Sequence, residues 1–318
     1  MPRKPRILTR ANAGVEVLNR ALQGRYLIKP GEDLNPRIIG ALAKAREKYP
    51  VDIYSGVFMS SHWHGYFAAE TVQVLSSFVR EFTRKLSIES GILYDWPGST
   101  FPCRFHSVEV SEEPAAQIAR LVYHLKHGCK EGLVASPLDW PGVNFVEALL
   151  TGKPLKGIWI DRSGYRRALQ QGRAVTLEDF TEHLELPIEP LPCWRHLDHA
   201  TRREHILEII RNIEEETAAM HVERGTSPLG PEAVLHADPH FRPSRLERSP
   251  QPLFHAVCKK VRQELMEALS FILAAYDDAR ERLKQGDRFA AFPENTFPPR
   301  LPFVDPRGPV GRLRWEPG

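Results

Sequence analysis

Hydrophobic positions in the first half of the chain repeat with two different periods. Residues 51–58 (VDIYSGVF) and 62–69 (HWHGYFAA) are rich in β-branched and aromatic side chains, with a short Ser60-Ser61 turn between them. This pattern predicts two strands joined as a hairpin. Residues 71–90 instead place apolar side chains three or four positions apart, which predicts an amphipathic helix.

The segments around this hairpin extend the same alternation of strands and helices. Residues 14–28 predict a strand or a hairpin, and residues 35–48 predict a helix with Asn35 as its N-cap. Residues 104–110 predict a short strand, and a helix with Pro114 in its first turn is expected to end at Gly128. The resulting order is strand, helix, two strands, helix, strand, helix. It predicts an α+β fold in which helices cover an antiparallel sheet.

The second half of the chain has a different pattern. Residues 201–224 and 253–285 predict long helices, and the last stretch, 286–318, is rich in proline. We therefore expect two regions, a first domain over 1–150 and a mainly helical accessory region over 151–318 that ends in an irregular tail.

Composition limits the class of protein. The 318 residues are 42% hydrophobic and 26% charged, as in ordinary globular proteins. No stretch approaches the roughly 20 apolar residues that cross a bilayer, and the first residues lack the apolar core of a secretory signal. Four cysteines lie far apart in the sequence, which fits a reducing compartment. These features predict a cytoplasmic protein without a membrane partner.

Charge is concentrated at the beginning of the chain. The net charge is only +3, yet seven of the first 30 residues are basic and one, Glu16, is acidic. A basic arm beside a folded domain is suited to phosphate contacts, although a solvated tail has the same composition.

The triplet His62-Trp63-His64 is a candidate metal site. Side chains two positions apart on a strand point to the same face, so both imidazoles can converge on one ion while Trp63 points away. Imidazole is a common ligand of divalent metals. The alternative is a half-buried surface pair.

Tyr123 and His127 form a second candidate. On a helix they lie one turn apart on one face. A tyrosine beside a metal-polarised phosphate can act as a nucleophile, and His127 can complete the metal shell. Alternatively, Tyr123 is a packing residue and His127 interacts with the helix dipole.

These segments together resemble the single-tyrosine HUH transposases, in particular the REP-associated branch. The resemblance covers about residues 3–150 and rests on four short motifs in the right order. The motifs are VEVLNRALQGRYLI, the VDIYSGVFMSSHWHGYF hairpin, PCRFHS and LVYHLKHGCKEGLVASPLDWP. The chain departs from the family pattern at Ser60-Ser61, where Pro-Asn is usual, and at His127-Gly128, where Asn-Pro is usual.

The resemblance implies a ferredoxin-like HUH domain and a specific chemistry. His62, His64 and His127 would hold one divalent cation, Mg²⁺ or Mn²⁺. Tyr123 would attack a phosphate of single-stranded DNA and form a 5′-phosphotyrosine link. The implied partner is single-stranded DNA that contains hairpin-forming repeats, bound by a monomer or a homodimer. A histidine at position 127 would favour a softer ion than Mg²⁺.

DNA binding is expected to depend on basic side chains and on aromatic rings that stack with bases. Tyr26 and Trp96 are the candidate stacking residues. The candidate phosphate contacts are Arg3, Lys4, Arg6, Arg20, Arg25 and Arg104. Two other functions remain open: a catalytically inactive DNA-binding regulator of the same descent, and a zinc hydrolase with a three-histidine site.

Overall fold

Five strands form the central sheet of the protein. The computed structural model describes residues 6–244 and 252–299. Within these ranges the strands are β1 (Gly14–Arg20), β2 (Asp52–Phe58), β3 (His62–Ala68), β4 (His106–Val110), β5 (Leu155–Ile160), β6 (Thr181–Leu186) and β7 (Phe254–His255). The central sheet has the order β2-β3-β1-β4-β7, and all its pairs are antiparallel except β4 with β7. The antiparallel sheet with covering helices confirms the predicted α+β class.

Helices follow the strands in the predicted order. The helices are α1 (Leu34–Lys48), α2 (Val72–Leu93), α3 (Pro114–Lys130), α4 (Val146–Thr151), α5 (Arg162–Gln170), α6 (His199–Arg224), α7 (Pro231–Leu235) and α8 (Lys259–Lys284). In the described ranges, none of them combines the length and the apolar character that a bilayer span requires.

Three predicted helix ends were wrong. The last long helix begins at Lys259 and not at residue 253, because Phe254 and His255 form the strand β7. Asp33, not Asn35, precedes α1, and the Asn35 amide donates instead to the Pro141 carbonyl at 2.8 Å. The helix α3 continues past Gly128 to Lys130, and Gly132, two residues later, has a φ of +69°. The Gly132 and Leu133 amides bond back to the carbonyls of Cys129 and Gly128, the pattern of a Schellman motif.

Alternation along the strands separates two buried layers. Val15, Val17 and Trp63 pack on the face covered by α1 and α2. Tyr66 and Ala68 pack on the opposite face with Leu121 of α3. Because strand residues alternate between faces, His62 and His64 belong to the α3 face.

The region after residue 150 contains a two-stranded antiparallel sheet as well as helices. β5 and β6 pair antiparallel, and their Leu155 and Leu186 join the core under α1 and α2. α6 packs against α3 and α4 on the other side of the sheet. The extension is therefore mainly helical with one added two-stranded sheet, and the division at residue 150 remains a prediction.

A buried ion cluster fixes the junction of β5 and α5 to α2. The Glu89 carboxylate is 1% exposed. It accepts two hydrogen bonds from Arg162 at 3.0 and 2.6 Å and lies 2.8 Å from Lys85 Nζ. Lys85 also donates to the Ile160 carbonyl at 2.5 Å. Burial would raise the pKa of Glu89, but Arg162 and Lys85 outweigh it and lower that pKa.

We expect Glu89→Ala to lower the free energy of unfolding by about 3–5 kcal/mol, because it leaves the buried Lys85 and the partly buried Arg162 without their carboxylate. Urea denaturation followed by circular dichroism measures the change. The control is Glu47→Ala on α1, which removes an exposed partner of Lys44 and should cost less than about 1 kcal/mol. Equal losses in the two variants would contradict a stabilising role for the buried cluster.

Candidate active site

The His-Trp-His triplet on β3 divides its side chains between the two faces of the sheet. Trp63 is completely buried and packs against Phe58 and Phe82 under α2. His62 and His64 point to the opposite face, with ring centroids 5.4 Å apart. The buried Trp63 therefore fixes the orientation of the strand that presents the two imidazoles.

The helix α3 brings Tyr123 and His127 to the same place. The His127 ring lies 5.0 Å from both the His62 and the His64 rings. The Tyr123 ring lies 5.2 Å from both His64 and His127. The structure therefore brings together the four residues that the sequence singled out on two distant segments.

The three imidazoles fit a divalent metal ion. One ring nitrogen from each lies within 4.8 Å of the others, and His62 Nε2 faces His127 Nε2 at 2.9 Å. Burial holds the pKa of both His62 and His127 well below the usual value, with further lowering from the neighbouring histidines. Neutral imidazoles keep the lone pair that a metal needs. In the described part of the chain, the buried His127 Nδ1 also has no hydrogen-bond partner.

Glu16 on β1 contacts both His64 of the candidate site and the side chains behind it. No sequence motif pointed to this residue. Its carboxylate is buried and accepts from His64 Nδ1 at 3.0 Å and from His255 Nε2 at 2.5 Å. Arg120 Nη1 lies 3.1 Å from the same carboxylate and His124 Nε2 lies 3.6 Å away. Burial would raise the pKa of Glu16, but His124, His255 and His64 outweigh it and hold the pKa far below its usual range.

The ionised Glu16 determines which nitrogen of His64 carries a proton. A carboxylate only accepts hydrogen bonds, so His64 Nδ1 must donate and its Nε2 is left with the lone pair. A carboxylate that orients a histidine in this way is common around bound metals. A lone acidic residue in an apolar strand was the available signal for Glu16.

A β-bulge in β2 supplies a further contact behind the site. The β2–β3 register shifts between Ile53 and Ser55, so the side chains of Tyr54 and Ser55 both lie on the face of the sheet that α3 covers. Tyr54 packs against Tyr66, and the Ser55 hydroxyl lies 2.7 Å from His124 Nδ1. The bulge thereby places Ser55 against His124, the α3 histidine that lies beside Glu16.

We expect Glu16→Gln to weaken Mn²⁺ binding by about 10- to 100-fold, because His64 loses the carboxylate that fixes its tautomer. Isothermal titration calorimetry measures the affinity. Glu109→Gln is the control, since Glu109 is a buried carboxylate on β4 that bonds Thr9 on the opposite side. Unchanged Mn²⁺ affinity in Glu16→Gln would rule out the orienting role.

The predicted DNA-binding residues are distributed over several parts of the surface. Arg20 lies directly opposite His62 in the β1–β3 register. The Arg25 guanidinium lies over the Trp96 ring at 5.2 Å. Arg104 is exposed, and Arg3 and Lys4 lie outside the described residues.

Arg6 lies on a different face from the histidines. Its guanidinium is 3.5 Å from the Phe105 ring centroid, and Phe105 belongs to the core under α1 and α2. Burial and the nearby Arg104 lower the pKa of Arg6 to about 10. Arg20 is therefore the predicted phosphate contact that the strand register brings next to His62, and the DNA role of all these residues remains a prediction.

Comparison with known proteins gives only distant structural likenesses. No family model and no curated protein matches the chain. The chain is similar to a solved REP-associated tyrosine transposase bound to a REP hairpin, with 16% identity and a TM-score of 0.39. That match covers 47% of this chain and 85% of the transposase. A protein of Deinococcus radiodurans, provisionally described as a transposase, matches with 13% identity and a TM-score of 0.27. This second match covers 38% of this chain and 95% of the Deinococcus radiodurans protein.

Proposed function

We propose that the protein cleaves and transfers single strands of DNA in a metal-dependent reaction through a 5′-phosphotyrosine at Tyr123. The observation that carries this proposal is the position of the Tyr123 ring, 5.2 Å from two of three converging imidazoles. A nucleophile beside a site for a divalent cation is the arrangement that phosphoryl transfer requires. DNA transposition is the process that this chemistry would serve.

The ligand residues would be His62, His64 and His127. When bound, the cation supplies electrostatic stabilisation of the charge that develops on the phosphate oxygens. The ligand set is rich in nitrogen, which favours Mn²⁺ over Mg²⁺. Glu16 holds His64 in the tautomer that leaves Nε2 unprotonated.

The bonds that form and break in the covalent step belong to the phenol and the phosphodiester. Tyr123 Oη forms a bond to phosphorus while the bond from phosphorus to the 3′ oxygen breaks. The phenol loses its proton and the departing 3′ oxygen gains one, so the step neither consumes nor releases protons overall. The phosphotyrosine link keeps the energy of the broken bond, so the reverse attack by a 3′ hydroxyl rejoins DNA without ATP.

The groups around Tyr123 shift the pKa of its phenol in opposite directions. Burial raises the pKa of the phenol, and the Glu16 carboxylate raises it further. Arg120 and Arg20 lower it, and the Arg120 guanidinium and Lys130 ammonium lie 5.1 and 5.6 Å from the ring centroid. The phenol is therefore protonated at neutral pH, and these cations favour the phenolate that forms during attack.

A three-histidine hydrolase is less well supported. Such an enzyme needs a base that takes a proton from water, and Glu16 is the carboxylate that contacts the cluster. Its oxygens already accept from His64, His255 and Arg120, and its pKa lies far below the range of a useful base.

A strand-cleavage assay tests the proposed function. The full chain is mixed with a labelled single-stranded hairpin oligonucleotide and with Mn²⁺, Mg²⁺ or EDTA. The proposal predicts a protein–DNA adduct that survives denaturation and forms only with a divalent ion. Binding without an adduct under any ion would favour a DNA-binding regulator instead, and free cleavage products without an adduct would favour a hydrolase.

A further inference from the structure

We infer that the loop joining β1 to α1, together with Trp96, is a binding platform for a single nucleic-acid strand, and that residues 235–241 of the same chain occupy it. This inference rests on the proposed function, since it concerns how DNA reaches the same site. The platform is formed by Arg25, Tyr26, Lys29 and Trp96. We refer to residues 235–241 as the strap.

The platform lies beside the metal-ligating histidines. Within the β1–α1 loop, Ala21 N–H donates to the Ser61 carbonyl at 2.7 Å and Ile28 N–H donates to the Ser60 carbonyl at 3.1 Å. Both acceptors belong to the turn that directly precedes His62. The loop also bonds the segment that follows Trp96, since Leu22 N–H donates to the Thr100 carbonyl at 2.8 Å. A strand on the platform would therefore lead to the histidine site.

Both cations of the platform bond neutral carbonyls of the strap. Arg25 Nη1 donates to the His240 carbonyl at 2.5 Å, and Lys29 Nζ donates to the Leu235 carbonyl at 2.5 Å. Charge-assisted bonds to phosphate are stronger than bonds from the same donors to carbonyls. The Asp238 carboxylate of the strap accepts instead from its own neighbour, the His240 N–H, at 2.9 Å. The strap thus presents neutral carbonyl oxygens at positions where the charged oxygens of a phosphodiester backbone would form stronger hydrogen bonds.

Two rings of the strap lie in tilted contact with the two aromatic residues of the platform. Phe241 lies 5.0 Å from Tyr26 with an interplanar angle of 37°, and His240 lies 5.9 Å from Trp96 at 44°. Arg25 covers Trp96 as well. Aromatic faces alternating with cations are the composition of sites that bind single strands through base stacking. Two rings and two carbonyl oxygens of the strap therefore take the places of two bases and their phosphates.

The strap is held at the surface rather than in the core. His240 is exposed, and Phe241 keeps 46% of its surface in solvent although it is a large apolar residue. Few contacts must break for the strap to leave, so a strand that offers phosphates and bases can displace it. Free protein then binds DNA more weakly than its platform allows, since binding must first remove the strap.

A double-mutant cycle on the full chain tests this inference. The probe is a fluorescein-labelled oligothymidylate of about ten nucleotides, and fluorescence anisotropy in EDTA reports its affinity without cleavage. Removing both strap rings (His240→Ala/Phe241→Ala) should tighten binding by about tenfold. Phe271→Ala removes an exposed ring of α8 and serves as the control, with unchanged affinity expected.

The cycle is completed by Trp96→Ala in both backgrounds. In the wild-type strap background the substitution removes both the strap contact and the base contact, so its effects partly cancel. Without the strap rings it should weaken binding by about tenfold, and by clearly more than in the wild-type background. Tyr26→Ala is the second platform variant, in case Trp96→Ala does not fold.

The outcomes separate this inference from the proposed function. Strap substitutions that weaken or do not change oligothymidylate binding would overturn it, as would a platform substitution with the same effect in both backgrounds. Because the assay contains no divalent ion, its result does not depend on cleavage. If the protein shows the expected coupling but never forms an adduct with Mn²⁺, the platform is supported and the proposed transferase function is contradicted.

Discussion

Tyr123→Phe is expected to abolish covalent capture of single-stranded DNA and to lower the cleavage rate by a factor on the order of 10⁴ or more. The substitution removes only the oxygen atom that forms the bond to phosphorus, and loss of a nucleophile costs rates of this order. The phenyl ring keeps its contacts with His64 and His127, so the metal site and the fold should persist. Denaturing gel electrophoresis of the labelled adduct measures the effect.

Tyr165→Phe is the matched control. Tyr165 lies on α5, between β5 and β6, with its ring against Phe180. It is not part of the histidine site. It should form the adduct at the wild-type rate. An adduct that persists in Tyr123→Phe would assign the nucleophile to another residue.

Removing both strand histidines is expected to eliminate metal binding together with cleavage. His62→Ala/His64→Ala deletes two of the three converging imidazoles, and the remaining His127 offers a single ligand. We expect Mn²⁺ affinity to fall by more than about 100-fold, since loss of even an outer-shell partner can cost that much. Titration calorimetry measures the affinity, and the cleavage assay measures the rate.

The control for this variant is His183→Ala/His196→Ala, which removes two exposed histidines that are distant in sequence from the cluster and lie outside the strap. It should bind Mn²⁺ and form adduct as the wild type does. If the double variant at positions 62 and 64 still showed Mn²⁺-dependent cleavage, the metal would have to bind elsewhere.

The framework of the site could be predicted from the sequence because it depends on local periodicity. The alternation around Trp63 places His62 and His64 on one face, and helical spacing places His127 one turn after Tyr123. Both rules operate within a few residues. That these two segments share one face of the sheet depends on the packing of α3 against β2 and β3.

The rest of the site depends on contacts between distant segments. Glu16 is surrounded by side chains from β3, α3 and β7, and His255 reaches it only because β7 pairs with β4. No local pattern predicts a two-residue parallel strand so late in the chain. Arg6 was grouped with the DNA contacts from its charge alone, whereas its position over Phe105 depends on packing with α2.

Mass spectrometry of the covalent adduct tests the central claim most directly. Wild-type protein is incubated with single-stranded hairpin DNA and Mn²⁺, the adduct is digested with nuclease and protease, and the modified peptide is fragmented. The proposed function predicts a nucleotide linked through its 5′ phosphate to the oxygen of Tyr123. A nucleotide on any other residue, or a modification of Tyr123 that forms equally in EDTA, would contradict it.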